Sequence, residues 1–211
     1  MGLKTKVLVL KRIRAGDQDL LAKVYGKGGV IDLLVRDGFL NNHRFFGLFE
    51  PFNLLEVDLS QRGGIAIPND IGDVKFLSYL CRDFERFLWF SWISGFILKF
   101  VKYYDEKLFN LFISYMLSKS TQNTLRIKFR LDYLELSGLK PKFLEEEKHR
   151  RMLKLSDGST SDKGDVEVSA ESLNLIKKVY RAEKPQRIKI GAGALQDLET
   201  LLDLFIEHHI R

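Results

Sequence analysis

The first fourteen residues carry five cations, Lys4, Lys6, Lys11, Arg12 and Arg14, and no acid. Such side chains neutralise phosphates, and a nucleic acid bound to them releases counterions, so binding weakens as salt rises. A strand edge guarded by lysines shows the same residues for another reason, to prevent pairing with a second chain. Aromatic residues supply the other half of this chemistry, because unpaired bases stack on them with little regard to sequence. Tyr25, Phe39, Phe45 and Phe46 fall at strand ends or in a loop. Phe39, in a Gly-Phe-Leu-Asn-Asn loop, is the leading candidate. Phe45 and Phe46 serve equally well as plugs for the open end of a barrel.

Nothing comparable points to catalysis. His43 falls in a loop, His149 in a charged helix, and His208 and His209 near the C-terminus. Glu146 and His149 are spaced to share a helix face, but no second ligand pair accompanies them. Gly26-Lys27-Gly28-Gly29 and Gly191-Ala192-Gly193-Ala194 lack the Gly-Lys-Ser/Thr ending of a phosphate-binding loop. Asp17, Asp19 and Asp32 are accounted for by turn and strand-face roles. A single cysteine, Cys81, excludes an internal disulfide and a thiolate zinc site. We therefore expect no enzyme, no cofactor and no bound metal.

The 211 residues, 45% of them hydrophobic, suffice for one or two domains with a real core. The most apolar window, Phe87–Leu98, is bounded by Arg86 and Lys99 and falls well short of the roughly 20 residues of a membrane span. No N-terminal signal pattern is apparent, and the expectation is a soluble, intracellular protein. The net charge of +6 is uneven: +1 over residues 1–74, +6 over 75–142 and −1 over 143–211.

The cations must be positioned by strands. Thr5–Lys11 alternates, Asp19–Tyr25 follows an Ala-Gly-Asp turn, and a glycine-rich hairpin leads into Val30–Arg36. In GLFEPFNLLEVDL, Pro51 reads as the start of a fourth strand, with Leu55, Val57 and Leu59 on one face. A short fifth strand, Ile65–Ile67, is stopped by Pro68. Five short strands joined by glycine turns suit a small barrel such as an OB-fold. From Lys75 the period becomes helical, with Phe76, Leu80, Phe84, Phe87 and Leu88 on one face and an all-round apolar run from Phe90 to Val101. Further helices are expected over Glu106–Leu117, Thr124–Leu136 with a glycine cap at Gly138, Ser169–Tyr180 and Ala194–His208. Ser156–Asp165 reads as a polar loop. The fold class is α+β: an N-terminal five-stranded OB-fold-like barrel over residues 1–74, then an all-helical C-terminal domain over 75–211.

This order of motifs resembles the RecO family of bacterial recombination mediators. The match is carried by DLLAKVYGKGGVIDLLVRDG (Asp19–Gly38), GLFEPFNLLEVDLSQRGG (Gly47–Gly64), KLFNLFISYML (Lys107–Leu117) and LRIKFRLDYLELSGLKPKF (Leu125–Phe143). Two departures stand out. Where family members often continue Lys-Gly with basic residues, this chain has Asp37-Gly38-Phe39-Leu40, so a carboxylate replaces an expected phosphate contact, flanked by Arg36 and Arg44. Where many members carry a four-cysteine zinc module, residues 143–168 hold no cysteine, a degenerate or absent module.

The resemblance implies a cytoplasmic, nucleoid-associated protein that binds single- and double-stranded DNA, promotes strand annealing and helps load recombinase in repair and recombination. It implies two protein partners, a RecR-type protein and the acidic C-terminal tail of single-stranded-DNA-binding protein, and the basic middle segment suits such a tail. By analogy with OB grooves, the binding surface extends from Lys4, Lys6, Lys11, Arg12 and Arg14 to Lys23, Lys27, Arg36, Phe39, Arg44 and Arg62. Two other readings stay open: a protein-interaction scaffold of the same fold without DNA affinity, and an RNA-binding OB module. On the missing cysteines, the purified protein should contain no stoichiometric zinc and keep its fold in chelator. Elemental analysis and circular dichroism check this; one zinc per chain would refute it.

Overall fold

A computed structural model describes residues 3–62, 65–120, 123–147 and 150–210. Five strands form a closed barrel: β1 (Leu3–Ala15), β2 (Asp19–Gly26), β3 (Gly29–Val35), β4 (Leu54–Arg62) and β5 (Ile65–Lys75), in the order β1-β2-β3-β5-β4. Alternation fills its interior. Val7 and Val9 face Leu20, Ala22, Val24, Leu33, Val35, Leu55, Val57 and Leu59 across the core. Leu8 and Leu10, of opposite parity, are buried too, and α1 (Phe84–Phe100) packs along that outer side of β1. The near-continuous run VLVL is thus a strand covered on both faces.

Two expectations about the strands need correcting. Pro51 does not begin β4, which starts three residues later at Leu54. Pro51 and Phe52 form a turn, and Phe52 takes the left-handed conformation, φ 76°. That turn docks on a bulge in β1. Val9 N–H donates to the Asn53 carbonyl at 2.9 Å, and the Phe52 N–H donates to the Val9 carbonyl at 2.7 Å. The Phe52 ring then leaves the barrel and meets Phe87 and Phe90 of α1 edge-on, at 6.1 and 5.3 Å. The second correction is Pro68, which does not stop β5. The strand runs on to Lys75, and irregularities in the β4–β5 register, one adjoining the Leu59–Pro68 pair, accommodate the missing donor.

The helical period from Lys75 also resolves differently. Leu77–Leu80 is a separate short turn, and α1 begins only after Asp83, whose carboxylate caps Arg86 N–H at 2.7 Å. The face that sequence spacing assigned to the core is open: Phe84 is 73% and Phe87 46% exposed. The buried side of α1 is Trp89, Phe90, Ile93, Phe96, Ile97 and Phe100.

The chain separates into two compact units, Met1–Phe112 and Ile113–Arg211. The first holds the barrel, α1 and most of α2 (Glu106–Met116). In it Tyr25 is fully buried among Tyr104, Phe109 and Phe112; its hydroxyl accepts from Asp105 N–H and donates to the Tyr103 carbonyl, both at 3.3 Å. Tyr25 is an anchor and offers no face to a base. The second unit packs α3 (Thr124–Leu136), α4 (Ala170–Arg181) and α5 (Ala192–Ile210). The Arg130 guanidinium, almost wholly buried, makes two bonds to Asp203 at 2.7 and 3.2 Å and lies 3.5 Å from Glu199, locking α3 to α5. Burial raises the Glu199 carboxyl above its ordinary range, against the pull of Arg130.

Asn53 holds the barrel turn in place from inside. It is fully buried, donates from Nδ2 to the Leu48 carbonyl at 3.0 Å and accepts from Ser78 N–H at 3.3 Å. Asn53→Ala should lower stability by about 2 kcal/mol, since it strands buried backbone groups. A urea melt measures this; a loss below about 0.5 kcal/mol would show the turn holds itself.

Candidate nucleic-acid interface

Antiparallel pairing sends the basic residues to opposite ends of the barrel. At one end lie the start of β1 with Lys4 and Lys6, the β2–β3 turn with exposed Lys27, and the close of β4. The backbone of Arg62 lies there as well, while its side chain is outside the described structure. At the other end lie Lys11, Arg12 and Arg14 on the half of β1 that pairs with β2 but not with β4, with Arg36, Phe39 and Arg44 in the connection from β3 to β4. The predicted surface is therefore two patches rather than one. Lys23 lies directly opposite Lys11 across the β1–β2 ladder, but it pairs with Asp32 at 2.7 Å.

Several cations have carboxylate neighbours that sequence distance conceals. Lys4 pairs with Glu56 across the β1–β4 ladder at 3.3 Å, and Arg12 pairs with Glu50. The alternation of β4 holds the clue to the first, since it turns Glu56 outward beside β1. Nothing local announces Glu50. These exposed pairs are each worth about 0.2–1 kcal/mol, little enough for an incoming phosphate to displace. Lys6, Lys11, Lys27 and Arg36 make no ion pair among the described residues.

Phe39 does not stand free in its loop. It is half-buried against the barrel core, and the Arg12 and Arg14 guanidinium groups lie over its ring at 5.6 and 5.9 Å. Arg14 also donates to the Asp17 carbonyl. The result is a ridge of two guanidinium groups over one half-buried aromatic ring. Phe45 and Phe49 enter the core and plug this end, while Phe46 is about half exposed. Arg44 lies 4.3 Å over the Phe45 ring and donates to the Asn69 carbonyl of β5. Asp37 sits at this end in the left-handed conformation, φ 55°, and donates its N–H to Asp19 at 2.8 Å.

Burial pushes the Cys81 thiol up to about 11, so it is no nucleophile at neutral pH. Among the described residues, no three His, Cys, Asp or Glu side chains gather as a metal site. The Glu146–His149 pair cannot be placed, because His149 lies outside the described residues.

The stretch read as a polar loop after residue 155 is folded. It joins a small sheet of β6 (Met152–Leu153), β7 (Thr160–Ser161) and β8 (Val166–Glu167), ordered β7-β6-β8. Carboxylates occupy its corners. Glu146 accepts from Thr160 N–H at 2.9 Å and from its hydroxyl at 2.5 Å, and Asp165 accepts from Leu155 N–H at 2.7 Å. Asp157 accepts from the N–H and hydroxyl of Ser159 at 2.9 and 2.7 Å, and pairs with Lys142 at 3.0 Å. Those hydrogen bonds first, and then Lys142, hold the Asp157 carboxyl well below the usual range.

Comparison with known proteins adds two findings. The family model described as recombination protein O C terminal matches residues 81–211. A protein of Aquifex aeolicus (strain VF5), described only as uncharacterized, is 40% identical over 212 residues, covering 99% of each chain.

The lowered carboxyl of Asp157 makes the small sheet acid-sensitive. Its stabilising contribution is complete above the ordinary carboxylate range near pH 4 and is lost as pH falls below it. Asp157→Asn should destabilise the protein modestly at pH 7 and narrow its difference from wild type by pH 3, because Asp157 is partly exposed and screened. Thermal melts across that range test the sign; a difference that widens on acidification would refute it.

Proposed function

Since the chain belongs to the recombination protein O family of non-enzymatic DNA-repair mediators, we propose that it binds single- and double-stranded DNA through the barrel of residues 1–74. The helical remainder, residues 75–211, is then the platform for partner proteins. The observation that carries this reading is the exposed pair Arg12 and Arg14 over Phe39, with exposed Lys11 on the opposite face of the same strand. Guanidinium groups held on an aromatic ring lose little freedom when they meet phosphates, so positioning comes before contact. Lys6 and Lys27 supply a second patch at the far end, and a strand lying along the barrel would reach both.

The mechanism is one of competition rather than bond making. Phosphates are neutralised, bases stay accessible for annealing, and contacts to a RecR-type protein and the tail of single-stranded-DNA-binding protein clear the strand for recombinase. Asp37 and the neutralised Lys4, Arg12 and Lys23 favour a second reading, a scaffold of the same fold that recruits proteins without holding DNA. The RNA-binding reading shares the phosphate chemistry and differs only at the sugar.

Changing Lys11, Arg12 and Arg14 together to alanine should lower single-strand affinity and flatten the slope of log K against log salt by about two units, near 0.7 per lost contact. Fluorescence anisotropy at several salt concentrations measures it. An unchanged slope in a folded variant would favour the scaffold.

A further inference from the structure

β3 and β5 run parallel and share a single bridge, Leu33 with Ala66, so the barrel is closed there by one residue pair. Toward the start of β3 no strand covers its free side among the described residues, and a cavity of about 520 Å³ opens at the barrel mouth. Its walls are Val7, Ile31, Leu59 and Ala66. Three of these are at most 6% exposed, so the cavity reaches into the core itself. At its rim stand Lys27, Ser60 and Gln61, and Thr5 lines its depth. The Thr5 hydroxyl, on a residue 4% exposed, has only a long 3.4 Å contact to the neighbouring Lys6 carbonyl. That leaves its hydrogen-bonding capacity largely unspent.

The lining sets the chemistry of the occupant. Apolar walls ask for an apolar body, while hydroxyls and an amide ask for both donors and acceptors on its edge. Among the described lining residues Lys27 is the one charged group, which favours an occupant with a negative group at the rim. A purely aliphatic ligand would leave Thr5 and Gln61 without a partner, whereas the Ser60 hydroxyl already donates to Asn69 Oδ1 at 2.9 Å. A nucleobase with its own phosphate meets all three conditions, and the volume lies in the range of small-ligand sites, about 300–1,000 Å³. We propose that this mouth takes up one unstacked base of a single strand, with Lys27 on the adjoining phosphate and Thr5 and Gln61 on the base edge. The inference rests on the nucleic-acid reading above and adds a base site to its phosphate contacts.

The test compares an oligothymidylate with an abasic strand of equal length, by anisotropy with the full chain. Wild type should prefer the base-bearing strand about tenfold or more. Ala66→Ile, which fills the cavity, should abolish that preference and leave abasic-strand affinity unchanged. Should Ala66→Ile fail to fold, Thr5→Val serves: it should reduce the preference severalfold without lowering stability, because its hydroxyl has so little to lose. A wild type indifferent to bases, or a folded Ala66→Ile that keeps its preference, overturns the base site while leaving DNA binding intact. If neither strand binds, the functional reading fails and thymidine monophosphate becomes the probe. Its perturbation of pocket resonances would then uphold the site; their silence would overturn it. An apolar peptide that enters the mouth and resists displacement by thymidine monophosphate also overturns it.

Discussion

The one-pair closure between β3 and β5 is the constraint on which the first unit turns. Parallel strands cannot be joined by a tight turn, so the chain must leave β3, lay down β4 and return before β5 can seal the barrel. The connection of residues 36–53 does more than cross that gap. It inserts Phe45 and Phe49 into the core, reaches β5 through Arg44, and comes to rest on the Val9 bulge through Phe52 and Asn53. One end of the barrel is filled as a result. At the other end, among the described residues, no such segment enters the core, and a cavity opens there.

The same connection organises the charge. By packing Phe39 beneath Arg12 and Arg14, it gathers those two cations at the end of β1 into one ridge. By carrying Glu50 and Asp37 to that end, it also limits how much positive field the ridge presents. Binding to such a surface depends on exchange of partners, because exposed ion pairs are cheap to open. Affinity would then come from several modest contacts and would be strongly screened by salt.

The second unit relies on different forces. Arg130 lies in the interior with two carboxylates, a group that would be costly to bury alone and costly to break once paired. Its small sheet is too short to hold itself by backbone pairing. Glu146, Asp157 and Asp165 instead satisfy the N–H groups at its bends, with Lys142 and Thr160 completing the corners. These groups do the local organising that metal–thiolate bonds do in modules with cysteine ligands, through hydrogen bonds whose strength follows pH.

What the sequence determined by itself is whatever depends on local period and turn chemistry. Alternation around Val7, Ala22, Leu33 and Val57 reveals the barrel strands, and the helical period after Lys75 reveals the change of architecture, because each pattern is set by the chain's own repeat. The resemblance to the RecO family came instead from the order and spacing of whole motifs. Register, partner and depth were not legible in the sequence. Pro51 reads as a strand start and Pro68 as a stop because sequence cannot show the bulges that move one and absorb the other. Phe39 and Tyr25 read as free faces because their covers, Arg12 and Arg14 for one and Phe109 and Phe112 for the other, come from elements apart in sequence. Exposed Phe84 reads as core because spacing finds a helix face without telling which side has a neighbour. Only the tertiary structure decided that the cations form two patches with a cavity beside one. That outcome depends on which strand ends an antiparallel ladder brings together, and no local pattern encodes it.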